Sequence, residues 1–480
     1  MPFAYTIIIY QNRKLCKYCR LHCRSRRAGK YNQRRPYVQG IRPAPAPRSA
    51  LDAGPKSRYN GRAVLSEGCE WPARCRRRDI IKGTGRIMES RLRQLINQID
   101  PTRLAHLTME LARIPSPTRQ TEAIAAWYAG YARDRGLPAE VRRDAPDGAT
   151  VVISLPSAGV GPTLTLLGHL DHRPLDHPPA YQEGGLIYGR GCAEGKSGVA
   201  AITEALRVLA SSPYRLRGRL QAVIHTLHEP PGRREGLDAL ARHGSLGNAV
   251  ICAAGPHRYV PVAGRGCAQF RWRVRQEGEP MHELYTPADA PHPIWESRII
   301  LERLERWNEE LGQVAWPYIG PETVQVGSIH AGDEPERMPA ECAIAGTRRF
   351  SPGKTEHEIV GEFLLLQQEL QARTRAKIEC QVNVLGLGFR LHEREPIIQA
   401  LRRAYSLVTD QDLPLGGFLD VGDASKTAGE YGIPTVYHGT NRERYLADLE
   451  YVSLRDVVRA ARVYLAAAVY YLGFEDAGRQ

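Results

Sequence analysis

The chain has 480 residues, 66 Lys and Arg against 52 Asp and Glu, and ten cysteines, a length that exceeds one ordinary core and implies two domains. Residues 1–87 hold 21 of the basic side chains against 4 acidic ones, whereas the other residues hold 45 against 48. The body is therefore slightly acidic, so the basic total is no sign of nucleic acid or membrane surfaces as its partners, and neither is expected.

The first segment, residues 1–87, has Arg clusters, Pro-rich patches and half of the cysteines, with no sustained helix or strand period. It reads as a disordered basic tail or as an over-extended reading frame, with Met88 opening the domain proper. Cys16, Cys19 and Cys23 lack a second Cys/His pair at finger-like spacing, so a zinc site there is not expected. Ala4 to Tyr10 is apolar but precedes the basic residues and is too short for a secretory signal. The apolar run Val463 to Leu472 falls well below the ~20 residues that span a bilayer. The five cysteines of the body show no framework spacing, which suits a reducing cytoplasm.

In chain order, Asp100 before Pro101 marks a helix start, and Leu104, Leu107, Leu111 and Ile114 recur at helical spacing until Pro115. A second helix is predicted from Thr121 to Arg135. Apolar runs at Thr163 to Leu167, Leu220 to Leu227, Asn248 to Ala254 and Pro434 to Tyr437 have strand length. Between the first two, Val199, Ile202, Leu206 and Leu209 form one helix face. Strands alternating with helices predict an α/β fold with a mostly parallel sheet flanked by helices. From about Gly264 the pattern changes to a strand (Cys267 to Val274), a helix (Ile294 to Leu311), a strand (Cys342 to Phe350), a helix (Thr355 to Ala372) and a strand (Lys377 to Val384). This β-α-β-β-α-β-like order predicts a small inserted α+β domain, ferredoxin-like in connectivity. Helices at Glu395 to Thr409 and Ser453 to Leu472 close the chain, the last with a capping-box-like Ser453-x-x-Asp456. The expected divisions are 88–263 and 386–480 for the larger domain and 264–385 for the insert.

The richest stretch runs T-L-T-L-L-G-H-L-D-H from Thr163, then Y-G-R-G-C-A-E-G-K-S-G from Tyr188. An apolar strand ending in His169-x-Asp171 places an imidazole and a carboxylate at the edge where open α/β sheets hold their chemistry. With T-L-H-E-P around Glu229 and Glu450-Tyr451-Val452, these motifs resemble the core of the co-catalytic zinc exopeptidases that include aminoacylase, glutamate carboxypeptidase, acetylornithine deacetylase and succinyl-diaminopimelate desuccinylase. The resemblance covers residues 92 to 472. It implies a catalytic domain interrupted by a lid or dimerisation domain, and a homodimer.

It also implies roles for single residues. His169 matches the first metal ligand and Asp171 the carboxylate that orients it. Glu194 stands where the family has a bridging aspartate, and Glu229 where it has the general base. Three further ligand positions hold Pro230, Gly255 and Leu446, none of which offers a side-chain donor. His282 matches the lid histidine that reaches a partner subunit's site, and Arg349 the lid arginine that meets a substrate carboxylate. Asp423-Ala424 and Gly432-Ile433-Pro434 match the segment leading into the last active-site loop. Histidines near the lost positions, His228 and His257 above all, could join His169 and Glu194 around one zinc ion.

Three functional readings follow. One is an amidohydrolase with a modified metal centre, holding one zinc at most and cleaving an N-acyl amino acid or small peptide. Another is a metal-free acyl transfer or condensation on amino-acid-like substrates, with Glu229 and Glu194 as a facing acid-base pair. The third is a ligand-binding homologue without turnover.

Overall fold

The computed structural model describes residues 88–476, so the basic first segment with Cys16, Cys19 and Cys23 lies outside the described residues. Asp100 accepts a hydrogen bond from the Thr102 amide (2.8 Å) and Pro101 takes the first turn of α1 (Pro101–Arg113), whose leucines face inward. Then come α2 (Glu122–Arg133), the antiparallel pair β1 (Ala139–Ala145) and β2 (Gly148–Ser154), β3 (Thr163–His169), α3 (Lys196–Ala210), β4 (Arg219–His225) and β5 (Ala249–Cys252).

The smaller sheet follows, as β6 (Gly266–Arg275), α4 (Arg298–Gly312), β7 (Thr323–Ala331), β8 (Glu341–Phe350), α5 (Glu356–Gln371) and β9 (Lys377–Gly386). The chain then returns through α6 (Pro396–Thr409), β10 (Thr435–Tyr437) and α7 (Leu454–Leu472). No helix among the described residues is long and apolar enough to cross a membrane.

The large sheet has the order β1-β2-β4-β3-β5-β10. Its strands β4, β3, β5 and β10 run parallel, and the β1–β2 hairpin extends one edge antiparallel. Residues of β3 and β4 beyond the first are buried on both faces, which is why they read as unbroken apolar runs and not as an alternation. Helix α7 packs on α6 and α3, and its alanines let these helices approach closely.

The smaller sheet is antiparallel in the order β7-β8-β6-β9. Phe270, Trp272 and Val274 alternate inward along β6 and meet Ile300 and Leu304 of α4 and Phe363 and Leu370 of α5. A capping box of Thr355 and Glu358 opens α5.

Three details depart from the sequence reading. The helix expected from Ile294 to Leu311 is interrupted at Ser297, whose hydroxyl turns back to the Ile294 carbonyl (2.7 Å). Strand β7 is missing from that reading because it is an exposed edge with a register shift at Gly327, which breaks the apolar alternation. Ser453 makes no capping hydrogen bond, and the Asp456 carboxylate, which a capping box would turn back to the Ser453 amide, bonds Arg459 instead (2.6 Å).

Candidate active site

Strands β3 and β4 run parallel in a register that sets His169 beside His225 at their carboxyl ends. Beyond β4 the backbone turns through Leu227 in the left-handed region (φ 65°), and His228 and Glu229 follow. The His169 and His228 rings stack, with centroids 3.9 Å apart and planes 11° from parallel. His169 Nδ1 is 3.4 Å from Asp171 Oδ1, while its Nε2 is buried without a hydrogen-bond partner. Asp171 Oδ2 accepts from the Thr118 hydroxyl and from the Glu229 amide, both at 2.9 Å, which locks the two strand ends together. Burial opposes charge on His169, but the hydrogen bond and charge of Asp171, with Glu229 and Asp423 behind, outweigh it and raise the imidazole to about 9. Burial likewise opposes ionisation of Asp171, and the His169 contact overcomes it and holds the carboxyl well below its usual range.

Asp423, buried at the start of the helical segment before β10, ties this cluster from the other side. Its Oδ1 accepts from His228 Nδ1 (2.9 Å) and Arg234 Nε (3.1 Å), and its Oδ2 lies 3.3 Å from His225 Nε2. Burial disfavours its charge, yet the His228 and His225 charges leave it far below the carboxylate range.

Glu229 accepts from Arg173 Nε (3.1 Å) and from the Tyr445 hydroxyl (2.6 Å). Burial raises its pKa, but the charges of His228 and His169 and the Tyr445 hydrogen bond prevail and lower it. Glu194 Oε2 lies 2.8 Å from Arg442 Nε, an ion-pair distance at an angle too bent for a hydrogen bond. Its neighbour Gly195 (φ 94°) is demanded by close approach, because a Cβ there would stand 2.7 Å from the His169 ring. Lys196 is wholly buried, donates to the Ile114 carbonyl (2.9 Å) and falls to about 8 through burial.

His169, Asp171, Glu194, His228 and Glu229 thus come together. Glu194, His228 and Glu229 line a cleft of about 760 Å³ that Arg349 also lines from β8. Arg349 holds Asp420 (3.3 Å) and the Leu419 carbonyl (3.4 Å). His257 is not part of the group. It accepts from Arg258 (3.3 Å) beside Arg459, and burial lowers it to about 4. His282 is exposed on the smaller sheet's side, where its Nδ1 accepts from the Leu284 amide (3.2 Å) and starts a short 3-10 turn. Glu194 and Glu229, expected as a facing carboxylate pair, are each engaged by an arginine, Arg442 and Arg173. Sequence reasoning missed Asp423's function, His225, Arg173, Arg442 and Tyr445. The only signals were the Asp423-Ala424 match and the position of Tyr445 beside Leu446.

Side chains gathered at the carboxyl ends of parallel strands are the site architecture of open α/β folds. Residues 165–470 match the model of peptidase family M20/M25/M40, and the chain belongs to this family. A succinyl-diaminopimelate desuccinylase of Alkalilimnicola ehrlichii is 30% identical over 233 residues, covering 44% of this chain and 58% of that protein. A second, from Aromatoleum aromaticum, is 30% identical over 42% of this chain and 55% of its own length, so the chain spans just over half of these relatives. In fold it resembles the aminopeptidase PepT of Bacillus cereus (TM-score 0.66, 19% identity, 78% of this chain and 99% of that one). It also resembles the Bacillus subtilis YXEP protein, described as a dinuclear metal binding peptidase (TM-score 0.58, 14% identity, 78% and 98%).

Two groups of side chains have donor atoms within 4.8 Å of one another, His169 with Glu194 and His228, and His225 with His228 and Asp423. Distance alone admits an ion, since zinc takes imidazole and carboxylate donors at about 2.0–2.2 Å. Direction does not. A nitrogen lone pair lies in its ring plane, so near-parallel rings 3.9 Å apart cannot both aim at one ion. In the second group the His225 and His228 nitrogens already face Asp423. As the side chains stand, the stacked His169 and His228 do not fit one ion, while the nitrogens of the second group are engaged by the Asp423 carboxylate.

Proposed function

We propose that this chain acts on the amide bond of an N-acyl amino acid or small peptide held in the cleft between the large sheet's carboxyl edge and the smaller sheet. The observation that carries the reading is Glu229, an ionised carboxylate at the strand end, on the same cleft wall system as Arg349. In this reading Arg349 receives the substrate carboxylate through its guanidinium fork, and Glu229 takes the proton that the reacting nucleophile gives up. The centre is modified with respect to the family, because Pro230, Gly255 and Leu446 offer no side-chain donor.

Full-length protein incubated with a panel of N-acyl amino acids and dipeptides, with amine release followed by mass spectrometry, tests this. Glu229→Gln is expected to lose about 100-fold or more in turnover, the usual worth of general-base catalysis. Turnover that persists in the variant removes Glu229 from the chemistry, and saturable binding without product in wild type leaves a ligand-binding homologue.

A second reading, acyl transfer to an amine, is favoured by one observation. Arg442 lies on Glu194, so a cation brought there would meet a fixed positive charge. Adding amino acids as acceptors to the same panel separates the two, since transfer yields a new amide instead of a free acid.

Homodimerisation belongs to this proposal. His282 is exposed and does not line the cleft of its own chain, so a part in amide chemistry requires a partner subunit. A strictly monomeric mass by light scattering removes that part.

A further inference from the structure

We propose that Arg442 and Arg173 take over the charge positions that the family fills with metal ions, so that this cleft binds its carboxylate-bearing substrate without a metal. The inference rests on the amide reading for the identity of the substrate, and on side-chain geometry for the centre itself. Arg442 sits on Glu194, the position of the bridging ligand in the resemblance, with Nε 2.8 Å from Oε2. Arg173 sits on Glu229 at 3.1 Å. Both arginines line the cleft and both are partly exposed, 31% and 40%, so each has a face left for a ligand.

The replacement comes from one loop. Residues 441–446 end at Leu446, where the last family histidine is absent, and the same loop supplies Arg442 and Tyr445. The Arg442 guanidinium lies 5.1 Å from the Tyr445 ring centre, and the Tyr445 hydroxyl bonds Glu229, which receives Arg173 on its other oxygen. Glu194, Arg442, Tyr445, Glu229 and Arg173 form a continuous chain of contacts in which two carboxylates meet two guanidinium groups. A cation brought to Glu194 must displace Arg442 or stand beside its charge, and a guanidinium does not lose its proton to make way.

Of the positions that lack a donor, Gly255 is closed and not merely vacant. A Cβ at Gly255 would lie 3.1 Å from the Tyr437 ring, and the residue holds φ 76°, so an acidic side chain there is crowded and strained. The stacked rings of His169 and His228 cannot converge on one ion. A planar fork, by contrast, suits a carboxylate or the oxyanion of a reacting amide.

The test uses full-length protein dialysed against chelator. Zinc chloride alone is titrated in by calorimetry, and N-acetyl-L-alanine is then titrated with and without excess EDTA. Expected are no stoichiometric zinc binding, a probe Kd that EDTA leaves unchanged, and a weakening of about tenfold or more in Arg442→Gln, since a charge-assisted contact is lost. Arg442→Lys, which keeps the charge without the fork, is expected to restore part of the affinity. One zinc per chain, lost in His169→Ala, overturns the proposal whatever the probe does, as does probe binding that EDTA abolishes. An unchanged Kd in a folded Arg442→Gln also overturns it. Absence of both zinc and probe binding counts against the amide reading while supporting the metal-free centre, so the two failures are distinguishable.

Discussion

Buried charge is arranged in opposite ways at the heart of the smaller sheet and at the carboxyl edge of the larger one. In the smaller, Arg348 is wholly buried, yet it bonds Glu322 (2.5 Å), Glu362 (3.0 Å) and the Arg349 carbonyl (2.7 Å), and Lys354 closes the set through both glutamates. In the larger, His169 Nε2 is buried with no hydrogen-bond partner, although His169 Nδ1 lies 3.4 Å from Asp171 Oδ1 and Asp171 Oδ2 accepts from Thr118 and the Glu229 amide, both at 2.9 Å. A buried polar atom left unpaired costs about 1–3 kcal/mol, so folding alone favours the first arrangement over the second. The lesson is that Arg348 marks a closed structural network, whereas the larger sheet's edge leaves a buried His169 nitrogen unpaired close to the cleft residues Glu194 and His228.

Breaking the closed network has the largest expected effect. Arg348→Ala leaves Glu322 and Glu362 facing each other with only Lys354 between, and a broken buried pair costs about 3–5 kcal/mol. Urea denaturation followed by tryptophan fluorescence, to which Trp272 and Trp307 of this region contribute, measures it; a loss below about 1 kcal/mol would remove the structural reading.

The same network sets an acid limit. Burial opposes ionisation of Glu322, but hydrogen bonds from Ser351 and the Arg348 charge bring it from 4.5 down to about 2. A carboxyl lowered on folding contributes stability that is complete above its unfolded value and lost as pH falls through its folded one. At most about 3 kcal/mol should therefore disappear between pH 4.5 and 2, and Glu322→Gln should flatten stability over that window. Parallel acid-unfolding curves for the two proteins would sink this assignment.

At the open edge, smaller changes in stability should accompany larger changes in binding. Asp423→Asn keeps the shape but weakens the hold on His228 and Arg234, at a cost of about 1–3 kcal/mol, with weaker binding of N-acetyl-L-alanine as the sharper readout. Thr118→Val removes one donor to Asp171 and should cost about 1 kcal/mol. If Thr118→Val proves as damaging as Arg348→Ala, the contrast between the two regions fails.

Much of the fold was legible because its cause is local. Buried parallel strands must be apolar on both faces, so β3, β4, β5 and β10 announce themselves, and Asp100-Pro101 starts α1 by its own chemistry. Edge strand β7 was not legible, because exposure and a register shift remove the period that identifies a strand. Of the site, His169 and Asp171 could be read from the end of an apolar strand run, and Glu229 only from the family resemblance of T-L-H-E-P. Asp423, Arg442 and Tyr445 could not be given their parts, since an arginine in a polar loop carries no local sign of the carboxylate it will meet.

By itself the sequence determined the layered α/β plan, the family frame and the absence of side-chain donors at Pro230, Gly255 and Leu446, all properties of residue type and short-range order. Only the tertiary structure decided which distant side chains meet at the site. The pairing of Arg442 with Glu194 joins residues 248 positions apart, and that of Tyr445 with Glu229 joins residues 216 apart. Such contacts follow from how the loop after β10 lies over the ends of β3 and β4, and no pattern along the chain encodes that distance.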